Sequence, residues 1–378
     1  MRDRRFGKTN LPLSVFSLGT MRCLASESVA IQTVQRAIAL GINHLETARG
    51  YGNSERYLGA ALKSGLGISR DRLYITTKLS PTPNADQMER QIDESLQRLG
   101  LDYIDTLAIH GLNTWEHLAW VEAQDGCMRS VHRAIADGRV RHIGFSTHGS
   151  LELILRVIAT DLFEFINLHY YFLFQRHAPA IELAHQKDLG IFIISPADKG
   201  GLLYAPSETL VNLCRPYSPL ELTYRFLLSD SRITTLSVGP ANPKELDAIG
   251  AIADSTDPLT PPEQAVLQQL HQHQTETLGT DQCRQCYQCL PCPEDIHIPE
   301  ALRLRNLAIA YDMTQYGQYR YRMFENAGHW FPGTKANRCT ECGDCLPRCP
   351  ESLDIPAQGY PSTAQRQRSK KTVGINNI

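Results

Sequence analysis

The chain has 378 residues, with 38 Lys and Arg against 40 Asp and Glu, a formal net charge of −2, and 42% hydrophobic residues. That balance is ordinary for a soluble globular protein and leaves no basic surplus, so neither nucleic acid nor an anionic membrane is expected as a partner. The length suits one large domain of barrel size with a smaller one beside it.

The opening stretch MRDRRFGKTNLPL lacks the apolar core of a secretory signal, and no apolar run approaches the roughly 20 residues of a spanning helix. A cytoplasmic protein is expected, and in that reducing compartment the 11 cysteines point to metal ligation rather than disulfides.

From Val15 to Gly239, eight apolar runs alternate with segments of helical period: VFSLGT, INHLET, LYITTK, YIDTLAIH, HIGFST, FEFINLH, IFIISPA and ITTLSVG. Near-continuous apolarity is what a strand covered on both faces requires. Between them, ESVAIQTVQRAIALG is stopped by Gly41, and NADQMERQIDESLQRLG opens at an Asn84 or Asp86 cap and closes at Gly100. Strand-then-helix units in series predict an α/β fold, a closed (β/α)8 TIM barrel that leaves no exposed sheet edge. An open doubly wound sheet is the runner-up; no G-x-G-x-x-G follows the first run to support it.

Composition shifts at DSTDPLTPPEQ. The expected organisation is a barrel over residues 1–254, a linker or helix over 255–280, a small, mostly helical ferredoxin-like domain over 281–360, and a disordered tail over 361–378. Within the third region IPEALRLRNLAIAYDM reads as a helix with Pro299 in its first turn, separating two cysteine groups.

Reactive groups of a parallel barrel sit where its strands end. The second run ends in Glu46 and is followed by TARGYGNSE with Tyr51, the third ends in Lys78, and the fourth in His110. This order resembles the aldo/keto reductases, as do FGKTNLPLS, ESLQRLGLDYIDTLAIH and IGFST; the resemblance runs from about residue 5 to 250. It implies a nicotinamide cofactor, NADP(H) or NAD(H), and an aldehyde or ketone substrate. Tyr51 would be general acid, Lys78 would bring its pKa down, Glu46 would hold Lys78, and His110 would direct the carbonyl. The family pattern has aspartate where this chain has Glu46. The resemblance also implies cofactor contacts from Ser146, Thr147 and Asn167; Ser195 is a further cofactor candidate, and the phosphates are expected near the ends of the seventh and eighth runs and the loops after them, at DKGGLL and VGPANPKE with Lys199, Gly239 and Lys244. The aromatic ring that many relatives stack on the nicotinamide is missing at Ile194 and Ser195. Apart from that pattern, each such residue would read as packing or solvated surface.

The group Cys339, Cys342, Cys345 and Cys349 has the C-x2-C-x2-C-x3-C-P spacing of a [4Fe-4S] site; Cys283, Cys286, Cys289 and Cys292 differ by one residue in the last gap. The preferred pairing is crosswise. Cys283, Cys286, Cys289 and Cys349 hold one cluster, and Cys339, Cys342, Cys345 and Cys292 the other. A single cluster and a pair of zinc sites are the rivals. Cys23, Cys127 and Cys214 read as core packing. With this tail the chain resembles an aldo/keto reductase branch fused to a 4Fe-4S domain. It implies a carbonyl oxidoreductase carrying an iron-sulfur module, with a redox partner protein as a further expectation. The alternatives are a non-catalytic NADP(H)-binding redox sensor and an electron-transfer protein, the latter including a flavoprotein-like reductase.

Overall fold

The computed structural model describes residues 1–198, 202–250 and 252–359. Lys199 and the 361–378 tail lie outside the described residues. The chain divides into two compact units, one of Met1–Gly201 with Thr223–Leu259, the other of Leu202–Leu222 with Thr260–Ile378. The linear reading, with its barrel running unbroken to residue 254, gives no hint that Leu202–Leu222 cluster with the C-terminal residues.

The first unit is a closed parallel barrel of eight strands: β1 (Phe16–Gly19), β2 (His44–Glu46), β3 (Tyr74–Leu79), β4 (Ile104–His110), β5 (Val140–Thr147), β6 (Phe165–His169), β7 (Gly190–Ile194) and β8 (Thr235–Val238). Each lies within or overlaps one of the eight expected runs. Closure comes from β8 pairing with β1, Leu236 opposite Phe16. An antiparallel pair, Asp3–Arg5 with Pro12–Ser14, precedes the barrel. Near it Phe6 and Leu13 cluster with Phe165 and Phe192 of the strands. That packing explains two strand glycines: a Cβ on Gly190 would run into the Phe6 ring, and one on Gly144 into the Phe165 ring.

The barrel interior is not wholly apolar. His44 Nδ1 bonds Ser17 Oγ and its Nε2 bonds Thr76 Oγ1, each at 2.6 Å; Ser17 also meets Thr235, and Thr76 meets Thr106. Every member is buried, so the ring satisfies its own polar groups.

Local signals set the outer helices. Asn84 caps Ala85–Leu99, its Oδ1 accepting from the Gln87 N–H at 3.0 Å, and Gly100 ends that helix at φ 65°. Gly41 turns the chain after Glu27–Ala39 at φ 89°.

The second unit is helical, with Glu208–Cys214, Pro261–Leu278, Ile298–Tyr311, Thr314–Tyr321 and Ile355–Gly359; one cysteine loop precedes Ile298–Tyr311 and the other precedes Ile355–Gly359. Thr260 and Glu263 form a reciprocal capping box at the start of Pro261–Leu278. Ser207 donates to the Tyr311 carbonyl, and the Tyr311 hydroxyl donates to the Leu270 carbonyl at 2.9 Å. Among the described residues no helix is long and apolar enough to cross a membrane.

Candidate active site

Parallel register carries the strand-end residues around one end of the barrel. Glu46 stands opposite Gly19 and Thr76, Lys78 opposite Ala108, His110 opposite Ser146, and Ser146 opposite Asn167. Lys78 Nζ donates to the Tyr51 hydroxyl at 3.2 Å and to the Thr47 carbonyl at 3.1 Å, and forms an ion pair with Glu46. The ammonium also lies 4.7 Å from the centre of the Tyr51 ring, and His110 meets that ring edge-on at 5.5 Å. The four residues expected to act together are thus brought together.

The longer side chain of Glu46 is accommodated by its neighbours. Ser237 on β8 donates to Glu46 Oε2 at 3.1 Å, and β1 presents Gly19, where a Cβ would stand 3.1 Å from the same oxygen. Neither contact is visible locally, because Ser237 lies 191 residues along the chain from Glu46.

Burial dominates the electrostatics of this cluster. It pushes the Tyr51 phenol up and the Lys78 ammonium well down, since each charged form loses its hydration. In this structure burial, not the neighbouring Lys78, sets the direction for the phenol. Tyr51 is half-buried, and the Glu46 carboxylate opposes the loss of charge at Lys78.

The cofactor candidates divide. Ser146, Thr147 and Asn167 are buried at the strand ends. Ser146 Oγ accepts from the Gly111 N–H at 3.2 Å, and Thr147 Oγ1 donates to the Leu112 carbonyl at 2.8 Å. Asn167 is fully buried with both its amide nitrogen and oxygen unpartnered. Ser195 follows β7 at φ 55°. The Gly239 carbonyl accepts from Arg22 at 2.7 Å, and Arg22 in turn pairs with Glu245 at 2.8 Å; Lys244 beside that pair is exposed. Arg22 was not singled out from sequence, nor was the group formed by His169, Asp198 and Tyr171, where the tyrosine donates to Asp198 at 2.6 Å.

The sequence profile of the aldo/keto reductase family matches residues 16–270. The chain belongs to this family. An aldo-keto reductase of Mycobacterium avium is 27% identical over 270 residues, 66% of this chain and 90% of that protein. A morphine 6-dehydrogenase of Pseudomonas putida is 30% identical over 195 residues, covering 50% of this chain and 61% of the relative. For a methylglyoxal reductase of Yersinia pestis the figures are 32% over 150 residues, 39% and 53%. These last two matches therefore span about half to three fifths of the relatives' own lengths. The holo form of an aldo-keto reductase from Bacillus halodurans shares the fold, with a TM-score of 0.62 at 22% identity over 71% of this chain and 95% of that one. A profile for a 4Fe-4S dicluster domain matches residues 282–353.

In that region of this aldo/keto reductase the two cysteine groups are copies of one unit. Beyond the cysteines, CPEDIHIP after the first group repeats as CPESLDIP after the second. The backbone follows: Gln285 and Glu341 have φ 55° and 56°, Tyr287 and Gly343 φ 65° and 82°, Asp295 and Ser352 φ 54° and 53°. The Gln285 N–H points to Cys283 Sγ at 3.4 Å and the Glu341 N–H to Cys339 Sγ at 3.3 Å. His297 caps Ile298–Tyr311, and Asp354 accepts from the Ala357 N–H at the matching place. The extended repeat was there to be read in the sequence, hidden by the one-residue difference in cysteine spacing.

Proximity between the thiols runs across the two groups. Cys283 senses Cys286 and Cys349, whereas Cys339 senses Cys342 and Cys292, and Cys345 senses Cys339, Cys342 and Cys292; Cys289 senses Cys283 and Cys286 and, more weakly, Cys345. Cys292, Cys339, Cys342 and Cys345 line one apolar cavity with Ile298 and Leu302. Burial pushes Cys283 to about 11 and Cys289 to about 12. Among the described residues no group of three or more His, Cys, Asp or Glu side chains is gathered for a single metal ion. Cys23, Cys127 and Cys214 are buried.

Proposed function

We propose that this aldo/keto reductase reduces an aldehyde or ketone with Tyr51 as general acid. The observation that carries this reading is the contact of Lys78 with both the Tyr51 hydroxyl and Glu46 at the strand ends, beside His110. Tyr51 keeps its proton at neutral pH, because burial raises the phenol. It yields that proton only to a stronger base, the oxygen of a carbonyl whose carbon has gained hydride. The phenolate left behind faces Lys78, whose ammonium form the paired Glu46 carboxylate favours against burial. His110 is read as the group that orients the carbonyl oxygen.

The fit of the residues to a nicotinamide rests on Asn167. A buried side-chain amide with neither donor nor acceptor satisfied is costly, and a carboxamide offers the complementary pair. NADPH or NADH, when bound, would supply the hydride. Ser146, Thr147, Ser195 and Gly239 are read as its further contacts, with Lys244 beside Gly239 as a solvated charge near the phosphates. The crosswise proximity of the thiols supports two [4Fe-4S] clusters, one on Cys283, Cys286, Cys289 and Cys349, the other on Cys339, Cys342, Cys345 and Cys292. When bound they would supply one-electron transfer, to a partner protein in this reading.

The test is a panel of aldehydes and ketones with NADPH and NADH, run with Tyr51→Phe. The variant should bind cofactor as the wild type does and lose on the order of 10²–10⁴-fold in kcat, the usual contribution of a general acid. Undiminished turnover in Tyr51→Phe would remove Tyr51 from the reaction. No turnover of any carbonyl with cofactor binding intact would favour the redox-sensor reading.

A further inference from the structure

We propose that the buried guanidinium of Arg305 is the counter-charge of the cluster held by Cys283, Cys286, Cys289 and Cys349, and makes it the first of the two to be reduced. This rests on the two-cluster reading above.

Arg305 lies within the Ile298–Tyr311 helix and is 2% exposed. A guanidinium taken out of water needs an anion close by, and its visible partners are poor ones. Nη1 donates to the Asp281 backbone carbonyl at 3.1 Å and to Asn306 Oδ1 at 3.4 Å. Nη2 stands 3.7 Å from the Asp281 carboxylate, a group 48% exposed whose other oxygen already accepts from Gln358 at 2.9 Å. Nε is buried without a partner. The remaining neighbour is Cys283, whose sulfur the guanidinium reaches electrostatically. Asn306 Nδ2 ties the same turn of helix to the Cys283 carbonyl at 2.9 Å.

The second cage offers a control within the same molecule. Its ligands match the first in exposure, Cys289 and Cys345 buried, Cys286 and Cys342 exposed, the other four between. The repeated backbone makes the N–H···S contacts alike as well. Among the described residues, what differs is buried charge. The same helix shows the second cage Ile298, Ala301 and Leu302. Charges near that cage, Arg338, Glu341, Asp344 and Arg348, the last of them adjacent to Cys349 of the first as well, are of both signs and at least partly exposed, as is the Arg284–Glu351 pair near the first. Counting from the cysteine that opens each CPE, the position of Arg305 is taken in the second repeat's sequence by Ser362, outside the described residues.

Reduction adds one electron to a [4Fe-4S]2+ core to give [4Fe-4S]+, and no proton moves. With four thiolates the site goes from a charge of 2− to 3−, a change that a buried cation favours and an apolar wall does not. Arg305 therefore raises the potential of the first cluster relative to the second.

The experiment is a redox titration of full-length, cluster-replete protein with dithionite, followed by electron paramagnetic resonance. Two waves are expected. Arg305→Gln should move the upper wave downward by at least tenfold in its one-electron equilibrium, about 59 mV, and leave the lower wave in place. Arg305→Lys should keep most of the wild-type value. Asp281→Asn, whose amide oxygen can still accept from Gln358, should move the same wave upward. Cys342→Ala, which takes a ligand from the second cage only, should preserve the upper wave.

If Arg305→Gln does not fold, Asp281→Asn and Cys342→Ala decide. Waves that stay put in Arg305→Gln and Asp281→Asn, that shift together, or an upper wave lost in Cys342→Ala would overturn the assignment. An iron count of four rather than eight per chain would overturn the two-cluster reading itself, and so is told apart from a failure of the Arg305 argument.

Discussion

Burial moves Tyr51 and Lys78 in opposite senses, each towards its uncharged form. The reactive form of Tyr51 is the protonated one, and its pKa lies above the ordinary 10, so that form persists as pH rises through the usual tyrosine range. The kcat/KM of carbonyl reduction should therefore show no alkaline fall assignable to Tyr51 below pH 10, measured with a saturating, pH-stable cofactor. A fall centred near pH 8 would mean that the lysine outweighs burial in the working enzyme. At this scale Tyr51, Lys78 and His110 were legible because each belongs to a strand end or to the turn directly after it. The accommodation of Glu46 by Gly19 and Ser237 was not, because it exists only once β8 has closed against β1.

The eight strands were legible for a simple reason: a parallel strand buried on both faces leaves a continuous apolar run. The polar ring inside the barrel is less apparent, since Ser17, His44, Thr76, Thr106 and Thr235 come from five different strands. His44 in that ring is the element with a measurable consequence. Burial, helped by the charge on Lys78, lowers its pKa from 6.5 to about 3. The unfolded chain then takes up a proton that the folded one refuses, so this contribution is harmless above pH 6.5 and erodes stability as pH falls towards 3. Between pH 7 and pH 5 wild type should lose about 2 kcal/mol more unfolding free energy in urea than His44→Gln does. Equal losses would show that His44 is protonated in the fold.

At the scale of the molecule, sequence order and spatial order part company between Leu202 and Leu222. These residues fall between the seventh and eighth strand regions, yet they cluster with the chain after Thr260. No local periodicity could report this, because Glu208–Cys214 finds its partner in Pro261–Leu278, and Ser207 its acceptor in Tyr311. The consequence is energetic. A chain ended after Leu259 would keep all eight strands and strip Leu203, Leu210 and Cys214, now at most 2% exposed, of the unit to which they belong. Each leucine re-exposed costs about 1.5–3 kcal/mol, against a total stability of roughly 5–15 kcal/mol for a typical domain. The truncated protein should therefore melt well below the full chain or associate through the uncovered segment, as read by thermal unfolding and sedimentation. A monomer with the melting temperature of the full chain would show that Leu202–Leu222 draw little stability from the C-terminal unit, and that the boundary expected near residue 254 is the energetic one.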